Sequence, residues 1–501
     1  MPDTFYAMKH MLKVVGKKAA YPPLGLLTVA ALLPKLWDKK VVDLNIQALG
    51  TDDILWADYI FISAMNVQEK SVRALITQCK NYHKILVAGG PLFTHEYERF
   101  ECIDHFVLNE AELTLPEFIN DLEKGKLQRI YKTEKFAHIP ETPLPAFELV
   151  NMKDYLYAIV QYSRGCPFLC DFCDVTALFG RTSRTKSATQ MIEELNLLKD
   201  KEDISLVLFA DDNLIGNKKI LKYELLPALI EWRKKYNPSF FFATQLTINV
   251  CNDDDLMDLL IDAGFRHVFI GIETPDEESL SASLKNQNLR RNLIDNIQMI
   301  HQKGFIISGG FIVGFDSDKP DIFIRQQKFI QESGIPLPIV NILKAPPGTA
   351  LYDRIVKEGR LSKPFAFLEG ETNITPVMPL ETLNKGFLHL TERIYTGVYA
   401  YERIIQFFST YKFPKTSVSI KSKINFEQLR ILLRIIYLLG IKDKNRFYFW
   451  KIIGWSLWHE PKLIDKAFLY GTMFYQMNQT YQTIQEYMFA EYPSLQNKNS
   501  I

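Results

Sequence analysis

Half of the six cysteines in this 501-residue chain fall within eight positions, in the stretch RGCPFLCDFCD from Arg164 to Asp174. Three residues separate Cys166 from Cys170, and two separate Cys170 from Cys173. Thiols crowded in this way make a disulfide knot, a zinc site, an iron–sulfur site or buried filler. Structural zinc takes four Cys or His ligands, yet no histidine lies near the three cysteines; His138 is the nearest upstream. A cubane iron–sulfur cluster wants a ligand on each of four irons. Three thiolates leave one iron open, and an open iron can bind a substrate or a cofactor. The spacing is short enough for a single loop to wrap such a cluster. Six cysteines in a chain this long do not make a disulfide scaffold, so a reducing compartment is expected.

The loop must be held by something, and the flanking sequence says what. It follows YAIVQYS (157–163), which reads as a strand. Further strand patterns lie at 205–211, 240–246, 267–273, 306–315 and 338–344, with helical patterns near 187–199, 219–235, 253–263, 290–303 and 320–333. Strands alternating with helices give a parallel sheet, and six such units give a partial barrel rather than a closed one of eight. Chemistry on such a barrel sits where the strands end. Asp211 and Asp212 close the second strand, Gln245 the third and Glu273 the fourth. The two aspartates read equally as ligand contacts or as a helix cap for the stretch from 218. The fifth strand ends in GGFIVGFD, with Gly310 and Gly314.

Upstream, strand patterns at 41–46, 58–64, 84–90 and 104–110 alternate with helical ones near 23–37, 67–81 and 113–124. This predicts a second, doubly wound parallel sheet over 1–137, and a Pro-punctuated linker over 138–150 leads from it into a barrel over 151–374. From about 375 the strand signals stop, and 375–501 is expected to be mostly α-helical. Overall the chain reads as α/β with a helical C-terminal domain.

Bulk properties exclude some classes. The net charge of +1 singles out no nucleic acid or acidic substrate. No stretch reaches the apolar length of a membrane span, and the N-terminus carries no signal-peptide core. A cytoplasmic location is expected. The tail is different: residues 411–451 hold ten Lys/Arg and two acidic groups and run into an aromatic segment, FYFWKIIGWSLW. Basic residues beside Trp and Phe suit the surface of an anionic membrane, so peripheral contact is one reading. The plainer reading, and the favoured one, is a helical domain that packs its aromatics inward and leaves a solvated basic face.

CPFLCDFC resembles the three-cysteine loop of radical S-adenosylmethionine (radical SAM) enzymes, including Phe172 just before the last cysteine. The resemblance implies that Cys166, Cys170 and Cys173 hold a 4Fe–4S cluster whose open iron binds SAM. It places Phe172 and the glycine segment with Gly310 and Gly314 by the adenine, and Asp211, Asp212, Gln245 and Glu273 among the other residues around SAM. APPGTALYDR (345–354) is similar to the sixth-strand turn of cobalamin-dependent members. YPPLGLLTVAALLP, FISAMNVQ, VAGGPLFT and VLNEAELTLPEF resemble the cobalamin-binding domain that precedes many such barrels. That likeness implies cobalamin contacts from Ser63, Gly89, Gly90 and Glu110. Family members open with a strand before this region, whereas this sequence is expected to start inside the following loop: either the strand is missing or the start was assigned too late, and a central strand so lost would leave unpaired edges.

RGCPFLCDFCDVTALFGRTSRTKS and GIETPDEESL extend the resemblance to the hopanoid C-2 methylase group of cobalamin-dependent radical SAM proteins. It implies methyl transfer to an unactivated carbon of a small molecule or lipid, with electrons from a flavodoxin- or ferredoxin-type donor. Alternatives are a radical SAM enzyme of another outcome, such as rearrangement, cyclisation or oxidation, and a non-enzymatic cobalamin or iron–sulfur sensor. Methylthiolating relatives act on transfer RNA, but they carry extra N-terminal cysteines. Cys79, Cys102 and Cys251 are scattered, which argues against a nucleic-acid substrate.

Overall fold

The computed structural model describes residues 4–201, 204–365, 368–415 and 426–496. Two parallel sheets organise them. The first has the order β1 (Tyr59–Ser63), β2 (Ile85–Gly89), β3 (His105–Val107) and β4 (Ile130–Tyr131), all parallel. Helices form where the apolar periodicity predicts them, at Leu24–Leu32, Glu69–Lys80 and Ala111–Glu123, and short ones that it does not predict form at Lys9–Val15, Thr51–Trp56 and Pro91–Glu96. Two buried clusters fill its faces: Ile62, Leu86, Phe93 and Phe106 belong to one, Val87, Val107 and Phe118 to the other.

The predicted strand at 41–46 does not form. Asp43 turns the chain instead: its Oδ1 accepts the Asn45 amide at 2.8 Å and its carbonyl accepts the Ile46 amide at 2.9 Å. An Asx turn of this kind competes with extended backbone. Alternating apolar residues make a strand only where a neighbour can complete the ladder, and β1 pairs on one side alone among the described residues.

The second sheet carries six parallel strands. β5 (Ala158–Val160) lies at one edge. A two-residue antiparallel ribbon, β6 (Ser163–Arg164) with β7 (Arg184–Thr185), branches from the chain just after it. β8 (Leu206–Phe209), β9 (Phe241–Gln245), β10 (Phe265–Glu273), β11 (Ile306–Val313) and β12 (Leu337–Ile342) then follow in spatial order. The partial barrel predicted from the sequence is what forms. YAIVQYS divides between β5 and the ribbon, so Ser163 and Arg164 leave the barrel sheet to build a separate stem.

Fully buried Phe209, Phe242 and Phe265 pack on one another across β8, β9 and β10, with ring centroids 4.9–5.2 Å apart. Each such ring removed from water stabilises the fold by about 1.5–3 kcal/mol. The stretch 138–150 is no loose tether. Its short turns bury Ile139 and Phe147, and Gln190 Nε2 donates to the Thr142 carbonyl at 2.7 Å.

The C-terminal region is helical, with Leu380–Tyr395, Gly397–Thr410, Arg446–His459 and a long helix, Ile464–Glu491. That last helix returns to the start of the chain. Gln476 Oε1 accepts the His10 and Met11 amides at 2.8 and 2.9 Å. Met477, Tyr481, Ile484 and Met488 join the barrel's own core.

Candidate active site

The loop that carries the three cysteines is closed at its base by the β6–β7 ribbon. Gly165 must be glycine: its φ is +89°, and a Cβ there would lie 2.5 Å from the Thr182 carbonyl oxygen. Beyond it the Cys166 amide donates to the Gly180 carbonyl at 3.2 Å, and the Cys173 amide to the Cys170 carbonyl at 3.2 Å. The loop is pinned further at Asp171, whose amide donates to Ser283 O at 3.1 Å and whose carbonyl accepts the Leu351 amide at 2.9 Å.

Asp211 and Asp212 serve this stem. Asp211 is fully buried and accepts from the Ser163 amide and hydroxyl and from the Tyr162 amide. Asp212 accepts the Gly165 amide at 3.0 Å. Burial pushes Asp211 up to about 6 and Asp212 up to about 7, against the pull of those donors. Neither aspartate caps the following helix; Asn217 does.

All three cysteines are free and partly accessible. Burial raises the Cys166 and Cys173 thiols, and the neighbouring Cys170 adds to both. Two amides reach the sulfurs: Gln287 Nε2 stands 3.6 Å from Cys170 Sγ, and Asn213 Nδ2 stands 4.0 Å from Cys166 Sγ. The buried Lys285 ammonium lies near the same sulfurs and pairs with Glu273 at 2.6 Å. Burial alone would lower the Lys285 pKa, but Glu273 and the thiols Cys170 and Cys173 hold it raised. Among the described residues no three His, Cys, Asp or Glu side chains converge as the ligands of one ion would. A cubane is ligated differently, each thiolate meeting its own iron, so its sulfurs stand apart. A donor set of three thiols, two sulfur-facing amides and one nearby cation, with no fourth thiol, fits such a cluster.

The remaining strand ends lie on the same rim, because all six strands run parallel. Glu273 ends β10 with φ +66°, a left-handed backbone that costs a non-glycine residue about 1 kcal/mol. Its surroundings hold it there. Gln326 Nε2 donates to its carbonyl at 3.0 Å, and Asn288 Nδ2 donates to the carbonyls of Gly271 and Ile272. A side chain at Gly271 would collide with the Glu273 carboxylate and the Lys285 ammonium. Gly310 gives room to Phe269, whose Cζ would lie 2.8 Å from an added Cβ, and Gly314 turns the chain at φ +96°. Phe172 packs edge-on against Phe315, with centroids 6.1 Å apart. Gln245 ends β9 exposed.

The first sheet turns its own strand ends toward this rim. Ser63 and Gly89 are register partners at the ends of β1 and β2, and a Cβ on Gly90 would lie 2.9 Å from Ser63 Oγ. His95, just beyond β2, lies against Gly348, just beyond β12, at 2.9 Å from the position of an added Cβ. Glu110, just beyond β3, is buried and fully engaged. It binds Arg164 at 2.9 Å, Arg184 at 2.9 Å and the Ala137 amide at 2.7 Å. Glu112 takes the other nitrogen of Arg164 at 2.8 Å. Glu110 is therefore the tie between the two sheets, not a group left open toward a cofactor.

Sequence reasoning passes over Arg164, Arg184, Asn213, Lys285 and Gln287. Arg164 and Arg184 lie within motifs it quotes, without a role, and Asn213 directly follows Asp211 and Asp212. Lys285 and Gln287 lie in the polar run SASLKNQN, where the sequence gives no sign that the chain doubles back onto the cysteines.

The chain is similar to known proteins. Residues 160–324 match the Radical SAM superfamily, and residues 349–488 match a domain of unknown function, DUF4070. The chain is 35% identical over 469 residues to "Uncharacterized methyltransferase sll1242" of Synechocystis sp., covering 93% of this chain and 87% of that protein. It is 32% identical over 458 residues to "Hopanoid C-2 methylase" of Rhodopseudomonas palustris, covering 89% and 86%. Among solved structures, the cobalamin-dependent S-adenosylmethionine radical enzyme OxsB, with aqua-cobalamin and S-adenosylmethionine bound, superposes with a TM-score of 0.60 at 14% identity. That superposition covers 94% of this chain and 78% of OxsB.

Proposed function

Because the chain belongs to the radical SAM superfamily, in the branch that holds these methyltransferase relatives, we propose that it is a cobalamin-dependent radical SAM methyltransferase. It transfers a methyl group to an unactivated carbon of a small molecule or lipid. The name of the Rhodopseudomonas relative supports a polycyclic lipid such as a hopanoid. When bound, the 4Fe–4S cluster and SAM supply a hydrogen-abstracting 5′-deoxyadenosyl radical, and cobalamin supplies the methyl group.

The chain's own residues do the rest. Cys166, Cys170 and Cys173 would hold the cluster, Asn213 and Gln287 donate toward the Cys166 and Cys170 sulfurs, and Lys285 sets positive charge beside the thiols. Phe172 and the glycines of β11 would flank SAM, alongside Gln245 and Glu273. Ser63, Gly89 and Gly90 would line the cobalamin side. The aspartates Asp211 and Asp212 act through the loop stem. No acid–base pair is required of the protein. A flavodoxin- or ferredoxin-type protein would deliver the electron, and the cytoplasm is the compartment that keeps the thiols reduced.

The single observation that carries this reading is the meeting of two strand-end rims. The Glu110–Arg164 and His95–Gly348 contacts bring the end of the first sheet onto the cysteine loop and the barrel mouth. A substrate held between the facing rims would be within reach of both cofactor sites, so a short-lived radical on it would not have to diffuse. The test is anaerobic reconstitution with iron, sulfide and cobalamin, followed by SAM turnover. Wild type should gain a cluster, release 5′-deoxyadenosine, and add one CH2 to a hopanoid acceptor. Cys173→Ala should lose the cluster signal. Unchanged iron content in that variant overturns the assignment.

A further inference from the structure

We propose that the outer face of two C-terminal helical segments, Phe426–Lys442 and Arg446–His459, docks on an anionic lipid bilayer. The helix Arg446–His459 carries large apolar side chains on both its inner and its outer face. Its inner face buries Phe449, Ile452, Ile453 and Ser456. Its outer face shows Phe447 (63% exposed), Trp450, Leu457 and Trp458 (86% exposed). With Lys451 and Gly454 these fall at i, i+3, i+4, i+7, i+10 and i+11, one continuous face. A helix apolar on both faces is normally buried on both, in a protein core or in lipid. The preceding segment repeats the pattern: Leu429, Leu433, Tyr437 and Ile441 are exposed at intervals of four, while Ile435 and Leu439 are buried.

The occupant is read from the charge. Between 426 and 459 the chain carries Arg430, Arg434, Lys442, Lys444, Arg446 and Lys451 against only Glu427 and Asp443. Lys444 and Arg446 stand at the start of a helix with no acid in its first turn, where the helix dipole disfavours cations. Local stability does not explain them, but an anionic surface does. Lys451 Nζ lies 5.0 Å from the Phe447 ring centroid, so cation and aromatic are presented together. A second copy of the chain would set like charges face to face in a two-fold contact. No helix is long and apolar enough to cross a membrane among the described residues. The helices therefore lie in the interface, with rings at headgroup depth and cations among the phosphates.

The inference draws its purpose from the lipid-substrate reading but not its residues, and vesicle binding is measured apart from methyl transfer. The full chain is sedimented with vesicles of phosphatidylcholine, with or without phosphatidylglycerol, at low and high salt. Binding is expected only with phosphatidylglycerol, and salt should release it. Phe447→Ser with Trp458→Ser should weaken binding roughly tenfold or more, and Lys444→Glu with Lys451→Glu similarly. SAM cleavage should stay at the wild-type rate in both variants, which shows that they fold. Equal binding to neutral vesicles, or none to anionic ones, overturns the proposal. So does a wild-type dimer that Trp458→Ser dissociates without any vesicle binding, since a second copy would then cover the face.

Discussion

At the level of single residues, the candidate site divides into groups that announce themselves and groups that do not. Three cysteines in eight positions are visible because their clustering has few physical explanations. Gln287 is invisible, because an amide in a polar loop becomes a sulfur donor only when the chain after β10 folds back. A hydrogen bond to a cluster sulfur favours the more negative, reduced state. Gln287→Leu should therefore keep the cluster and shift its potential to more negative values, as a redox titration followed by EPR would show. An unchanged potential would deny the amide that role. His301 makes a separate prediction about stability. Burial holds its imidazole down at about 4, with Nδ1 against the Phe305 carbonyl and the ring edge on Phe407. The folded value lies below the unfolded value of 6.5, so the unfolded chain binds the proton more readily. The stability is complete above pH 6.5 and is lost as the pH falls toward 4. Between pH 7 and 5 the loss is about 2 kcal/mol. His301→Leu should flatten the acid side of the thermal-midpoint profile, whatever it does at neutral pH.

At the level of elements, sequence pattern locates both sheets and most helices, because many helices bury one stripe and the strands are short apolar runs between them. It fails at 41–46, where the stripe exists but no partner strand does, and at β4, whose two residues are too few to register. Nor does it reveal what joins the sheets. Glu110 sits at the entrance of the helix Ala111–Glu123, and Arg164 and Arg184 sit opposite one another on the ribbon. Glu110→Gln would leave two largely buried guanidinium groups facing a neutral amide. Breaking such a buried network costs about 3 kcal/mol or more. The expected result is a lower unfolding midpoint together with poorer iron loading, because the stem of the cysteine loop loses its anchor. A variant that unfolds earlier yet loads iron fully would show that the ribbon is braced from the barrel alone, through Asp211 and Asp212.

At the level of the whole molecule, the barrel core is completed by the far end of the chain. Met477, Tyr481 and Met488 fill it from the last long helix, and Phe5 packs on Tyr395 with centroids 5.1 Å apart. Nothing in the sequence shows this, since contacts between chain ends leave no periodic trace. The described parts should melt together, so calorimetry is expected to give one transition; two resolved peaks would mean that the sheets unfold independently. A chain stopped before Ile464 should fail to yield a folded barrel. The same clasp has a consequence for biosynthesis. The amides of His10 and Met11 wait for an acceptor that emerges 466 and 465 residues later in the chain. At elongation speeds of about 5–20 residues per second that delay is roughly 20–90 s. Through that interval Met11, Leu12 and Val14 of the helix Lys9–Val15 have no partner to bury them, which makes the segment a natural client for ribosome-associated chaperones.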